Sequence, residues 1–351
     1  MYVSHKHIYW FALFLLLLIS ACQEEQISVG TNVSDTFYVE NAGASMRVLV
    51  QGNTASKTYI LMVHGGPGSS SYWYNTDYIK EHLGSKYALI YWDQRNAGAS
   101  QGNNNAGNLH LSVMTEDLKK VIQVVKYRYG SDIKLFLMGH SFGGLLTTSF
   151  LCTGTNQSMI NGWIFADGSH NYPLNDTLTR NMLFKVGEEQ VALGNHFDDW
   201  SVILNYCAFH TGNFSYDESN QLESYASASE TYIPQMNQED WWSILKANAL
   251  KDNWPLSSIL CNYLYSSSSD LNKELATTQF TSSLPQITVP TLVLVGQYDF
   301  ICPKALADDL YNRIGSTDKQ EYVSSVSGHN IFVQDEAFFC DKITAFVEAH
   351  K

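Results

Sequence analysis

Residues 139–144 read Gly-His-Ser-Phe-Gly-Gly and follow directly on the apolar run Ile133–Met138. A strand that ends in Gly-x-Ser-x-Gly and enters an apolar helical stretch, here Leu145–Leu151, is the nucleophile-elbow pattern. The spacing has a physical reason. The serine must sit on a sharp, strained turn so that its hydroxyl projects above a sheet. Glycines two before and two after remove side chains that would clash there. The serine also falls at a helix N-terminus, where free N–H groups and the helix dipole favour developing negative charge. The bland alternative is an ordinary Gly-rich turn from strand to helix.

Three further segments argue for chemistry. Tyr59–Val63 is a short apolar run that opens into His64-Gly65-Gly66-Pro67-Gly68. Acyl transfer needs two N–H donors aimed at an oxyanion, one from the residue after the nucleophile and one from a Gly-rich loop after an earlier strand. Phe142 and Gly66 are the candidate donors. Thr291–Val295 ends in Gly296-Gln297-Tyr298-Asp299, and Tyr322–Val326 ends in Ser327-Gly328-His329. The resulting order Ser141, Asp299, His329 separates this arrangement from other serine hydrolase folds. Asp167, after the run Gly162–Ala166, is a rival acid. His64 and His140 read as structural hydrogen-bonding groups, and Arg95 as a residue that pairs with a carboxylate or carbonyl to hold its loop.

These motifs resemble those of the α/β-hydrolases. His64–Gly68, together with Asp93-Gln94-Arg95-Asn96-Ala97-Gly98-Ala99-Ser100, resembles the prolyl iminopeptidase group of serine peptidases, family S33. The resemblance covers roughly residues 45–350. It departs from that group at the elbow, where Gly-His-Ser-Phe-Gly stands for the usual Gly-Gly-Ser-Trp-Gly, and at Asn96, where glycine is usual. The resemblance implies release of an N-terminal residue, proline above all, from small peptides. Carboxylester hydrolysis on a small ester is the alternative, and a non-catalytic binding module on the same fold is a third.

The N-terminus bears on location. Lys6 precedes Ile8–Ile19, an apolar run of 12 residues, too short to span a bilayer and suited to a signal-peptide core. Ile19-Ser20-Ala21-Cys22 resembles a bacterial lipobox, which implies cleavage before Cys22 and lipidation of that cysteine. Residues 1–21 are then a signal peptide and 22–35 a polar tether. The expected location is the bacterial cell envelope, at the outer membrane on its periplasmic or outer face. Gln23 does not resemble an inner-membrane retention signal.

Strands alternating with helices predict a doubly wound, mostly parallel sheet with ligands at the strands' carboxyl ends. Residues 36–169 and 289–351 form that core. Early strands are read at Met46–Gln51, Lys57–Val63 and Ala88–Trp92, and helical spacing over Thr115–Tyr129. Residues 170–288 break the alternation, are rich in Trp and Tyr, and predict a mostly helical cap. They hold 14 Asp/Glu against 5 Lys/Arg, which is nine of the chain's thirteen net negative charges. This is either a solvated acidic surface or a pocket for a substrate ammonium. Glu188, Glu189, Glu223, Glu230, Glu239 and Asp240 are the candidate amine-binding acids, by resemblance to cap glutamates of the iminopeptidases. Five cysteines follow Cys22 without clustered spacing, which suggests neither a disulfide framework nor a structural metal. Cys207 and Cys261 are the pair to test. No cofactor and no nucleic-acid partner is expected.

Overall fold

The computed structural model describes residues 27, 29–100, 109–239 and 269–351. Cys22, Asp240, the tryptophans 241, 242 and 254, and Cys261 lie outside the described residues. Eight strands form one sheet in the order β1-β2-β4-β3-β5-β6-β7-β8. Strands β1 (Val33–Asn41) and β2 (Ala44–Gly52) form a hairpin, and β2 runs antiparallel to β4 (Ala88–Trp92). The remaining strands, β3 (Thr58–Val63), β5 (Lys134–His140), β6 (Gly162–Ala166), β7 (Thr291–Gly296) and β8 (Lys319–Ser324), are parallel.

Two boundaries differ from the sequence reading. The tether expected to extend to residue 35 stops short, because Val33–Asp35 already pair with Val50–Gly52. The hairpin turn explains why that strand exists. Ala42 and Gly43 have φ of 47° and 78°, so both central residues are left-handed and match the twist of the flanking strands. Strand β8 also begins earlier than Tyr322. Its register on β7 places Lys319 beside Thr291, and as an edge strand it tolerates the polar Lys319-Gln320-Glu321 that hides it from a hydrophobicity pattern.

Alternation along the strands divides the core. Val48, Leu61, Trp92, Leu137, Trp163 and Val293 face one side, where they pack on helices α1 (Leu111–Tyr129), α2 (Phe142–Leu151) and α7 (Lys304–Arg313). Leu49, Met62, Tyr91, Met138, Ile164 and Leu292 face the other, against α9 (Glu336–His350). Strands buried on both faces read as continuous apolar runs, which is how β3, β4, β5, β6 and β7 look in the sequence. Between β6 and β7 lie α3 (Tyr172–Leu193), α4 (Phe197–Phe209), α5 (Tyr216–Thr231) and α6 (Ser269–Thr277). The first three share a small core of Leu183, Trp200, Ile203, Cys207, Leu222 and Ala226, which meets the sheet domain at Phe300. A short helix, α8 (Ile331–Gln334), follows the His329 loop.

Candidate active site

Parallel register lines up the strands' carboxyl ends. Val63 pairs with Gly139, His140 with Ala166, and Gly296 with Ser324. The segments that follow those ends carry Gly66, Ser141, Asp167, Asp299 and His329, so residues far apart in sequence meet on one edge of the sheet.

Ser141 is the N-cap of α2 and has φ 57° and ψ −125°. Such a backbone costs a non-glycine residue on the order of 1–3 kcal/mol and persists only where its surroundings enforce it. Its N–H donates to Asp167 O at 3.1 Å, and its carbonyl accepts from Gly144 N at 2.8 Å and Ser169 N at 3.1 Å. The elbow must also pass close to β3. A Cβ on Gly143 would run into the carbonyl oxygen of Val63 and stand 2.8 Å from that of His64. Glycine at this position is therefore a steric requirement.

His329 Nδ1 lies 3.0 Å from Asp299 Oδ2 and 3.2 Å from Oδ1. Asp299 Oδ1 also accepts from the N–H groups of Ile301 at 2.9 Å and Cys302 at 2.7 Å, which fixes the carboxylate's orientation. The rival Asp167 is employed elsewhere. It accepts from Gly296 N at 2.8 Å and Ile331 N at 3.2 Å, and so braces the loops that carry the other two residues. Burial lowers the His329 pKa to about 4, against the opposing pull of Glu223 and Glu239. The ring is therefore neutral at neutral pH, the state that accepts a proton. His140 is lowered to about 3, first by burial and next by His329. Its ring bonds Tyr74 OH at 2.9 Å and the His329 carbonyl at 2.8 Å.

The glycine loop and the Asp93–Ser100 loop hold one another. His64 Nε2 accepts from Gln94 N at 3.0 Å, and Gln94 Nε2 donates to the His64 carbonyl at 2.7 Å. Asp93 Oδ1 accepts from Ser71 N and from the hydroxyls of Ser70 and Ser71, and its Oδ2 accepts from Ala99 N. Arg95 forms a fork on Asp117, at 2.5 and 2.7 Å, with both side chains buried. Asn96 has φ 55°. The left-handed region favours glycine, and asparagine is among the few other residues that tolerate it, which accounts for the departure at that position. Gly66 has φ 113°, and it lines the same cavity as Ser141 and Phe142.

Two cavities, of about 370 and 350 Å³, share Gly66, Ser141, Glu223 and Ile301 as walls. Cap helices supply most of the larger one. Tyr172, Asn175, Asp176 and Thr179 on α3 and Tyr216, Ser219, Asn220 and Glu223 on α5 face it, each set at i, i+3, i+4, i+7 spacing. Asn272, Leu275 and Ala276 on α6 complete the wall. Two acids and no basic residue line it among the described residues. Burial raises the pKa of Glu223, and raises that of Asp176 to about 6 although Ser219 Oγ donates to Asp176 at 2.8 Å. Asp176 was absent from the sequence candidates; its place in a polar stripe at helical spacing with Tyr172 and Thr179 was the available signal. The other expected acids lie elsewhere. Glu188 and Glu189 are exposed on α3, because that face of the helix turns to solvent. Glu230 and Glu239 line neither cavity; their carboxylates bond the His329 loop. Cys207 is a free buried thiol. Among the described residues no group of three or more His, Cys, Asp or Glu is disposed to hold a metal ion.

The α/β hydrolase fold family matches residues 58–336. The chain belongs to that family. This hydrolase is 21% identical over 318 residues to a probable aminopeptidase, YbaC, of Bacillus subtilis, covering 86% of this chain and 93% of the relative. A proline iminopeptidase of Mycobacterium smegmatis shares the fold at a TM-score of 0.62 and 16% identity, over 90% of this hydrolase and 98% of that chain. An esterase of Exiguobacterium antarcticum does so at a TM-score of 0.57 and 20% identity, over 90% and 100%. The α/β hydrolase thus resembles the prolyl iminopeptidases, and esterases share its architecture.

Proposed function

We propose that this protein is a serine hydrolase that releases the N-terminal residue of small peptides through an acyl-enzyme. Ser141 attacks the scissile carbonyl. His329 takes the serine proton and later gives it to the leaving amine. Asp299 holds the histidine tautomer and stabilises the imidazolium. The N–H groups of Gly66 and Phe142 receive the oxyanion, and water then hydrolyses the acyl-enzyme. One observation carries the peptide reading over the ester reading. Glu223 shares both cavity walls with Ser141, and Asp176 stands on the same wall. Carboxylates there favour a protonated amine beside the scissile bond. The relatives named as aminopeptidases point the same way.

A comparison of Pro-, Ala- and Leu-arylamides with short p-nitrophenyl esters tests the reading. The amides should be cleaved, and N-acetylated amides should not. Glu223→Gln should lower kcat/KM on free-amine substrates by about two to three and a half decades, because removing one member of a buried charge pair costs about 3–5 kcal/mol. Asp176→Asn should act in the same direction. Both variants should keep their ester rate. Cleavage of esters alone, untouched by either substitution, would replace the peptidase reading with a carboxylesterase. Failure of the parent to react with a fluorophosphonate would leave a binding module.

A further inference from the structure

The loop that carries the histidine base is held on one side by the sheet domain and on the other by the cap. On the core side, Ile331 N donates to Asp167 and the His329 carbonyl bonds His140. On the cap side, five hydrogen bonds come from the segment that ends α5 and follows it. Glu230 Oε1 accepts from His329 N at 3.0 Å. Glu239 Oε1 accepts from Asn330 Nδ2 and from Gln334 Nε2, both at 2.8 Å. Asn237 N donates to the Val326 carbonyl at 2.7 Å, and its side-chain amide to the Gln334 carbonyl at 2.8 Å. Gln334 in turn accepts from Gly328 N at 2.7 Å, which closes the loop on itself. The Glu230 carboxylate lies so close to Gly328 that a Cβ there would stand 2.6 Å from it. Cap side chains therefore hold the histidine loop from the side away from the sheet domain.

We propose that Glu230 and Glu239 are positioning residues that hold His329 in register with Ser141, so that the cap is part of the catalytic apparatus as well as its cover. The inference rests on the serine mechanism above and gives these two acids a role other than amine binding. Burial of a charged acid is unfavourable without partners, and Glu230 is 5% exposed. Burial pushes the Glu230 carboxyl well above the usual carboxylate range, and the bond it accepts from His329 N fixes where that backbone, and with it the imidazole, sits. The chemistry is sensitive to that placement, since a displacement of about 1 Å in a reacting group costs on the order of a hundredfold.

Kinetics of the full chain test the proposal. Glu230→Ala and Glu239→Ala should each lower kcat by roughly 10- to 100-fold with KM unchanged. The loss should be equal on the arylamide and on the activated ester, and fluorophosphonate labelling of Ser141 should slow by the same factor. Glu239→Gln keeps the acceptor oxygen and should retain kcat. It also removes a negative charge near His329, a ring faced as well by Asp299, Glu223, Glu230 and His140. Loss of that charge disfavours the imidazolium, so the acid limb of the pH–rate profile should move to lower pH. A role in stability alone would lower Tm and leave that profile in place. If Glu230→Ala does not fold, Glu239→Ala carries the test with Glu230 intact. Parent-like labelling by both alanine variants overturns the positioning role, as does a loss confined to free-amine substrates, which would make them amine-binding acids. A parent enzyme that does not label at all removes the serine mechanism instead.

Discussion

At the scale of single residues, the site is defined by which carboxylate reaches the histidine. Asp299 and Asp167 both lie at strand ends and both are buried. Only the first has an oxygen 3.0 Å from His329 Nδ1; the second accepts two backbone N–H groups. The variants should separate accordingly. Ser141→Ala should lower kcat by on the order of a million-fold without unfolding the chain, because nucleophile and base act as a unit. Asp299→Asn should cost on the order of ten-thousandfold with little change in Tm. Asp167→Asn should lower Tm more than it lowers kcat, and the reverse ranking would exchange their roles. Titration offers a second check. Burial favours the neutral imidazole of His329, so its proton leaves at lower pH than from an ordinary histidine near 6.5. The acid limb of kcat/KM for the free enzyme should accordingly fall toward about pH 4. A limb at or above 6.5 would contradict a buried, neutral base.

Among secondary elements, a strand is legible in the sequence where local pattern and tertiary burial coincide. The inner parallel strands are apolar on both faces and were visible as runs. Strand β1 was hidden because its burial alternates, as expected for an edge strand with one wet face. Its far end is anchored by a pair that no local pattern reveals. Arg95, on the loop after β4, forks onto Asp117 of α1, which also accepts from Asn41 Nδ2 at 2.7 Å, and Arg95 Nη2 donates to the Asn41 carbonyl at 3.3 Å. Arg95→Leu should destabilise the protein by about 3–5 kcal/mol, because it strands a buried carboxylate. Adding Asp117→Leu should restore much of that loss, as measured by urea unfolding. A single variant within about 1 kcal/mol of the parent would show that the pair contributes little to stability.

For the whole molecule, the cap and the core are joined at the site itself. The larger cavity has its floor in the sheet domain and its walls on three cap helices, and cap residues also bond the loop that carries His329. Among the described residues no helix is long and apolar enough to cross a membrane. We propose membrane attachment on the lipobox reading of Ile19–Cys22. Cys22→Ser should abolish palmitate labelling and move the protein from the membrane to the soluble fraction. Equal labelling of parent and variant would mean that the cysteine is incidental.

What the sequence alone determined was the order and type of the chemical groups. Ser141 and Gly143, the glycine loop at 65–68 and the late Asp299 and His329 each follow the end of a strand, and a parallel sheet brings strand ends together whatever the intervening length. Asn96 could be read as a departure, though its left-handed backbone was not visible. Tertiary structure decided the rest. Whether a cap acid meets solvent, cavity or catalytic loop depends on how its helix is rotated and what packs beside it, and six acids are divided in that way: Glu188 and Glu189 to solvent, Glu223 and Asp176 to the cavity, Glu230 and Glu239 to the histidine loop; Asp240 lies outside the described residues. A carboxylate's partners can lie 90 or more residues away, as Glu230 and Glu239 do from the loop they hold. Local spacing carries no information about that distance, and only the packed cap and sheet supply it.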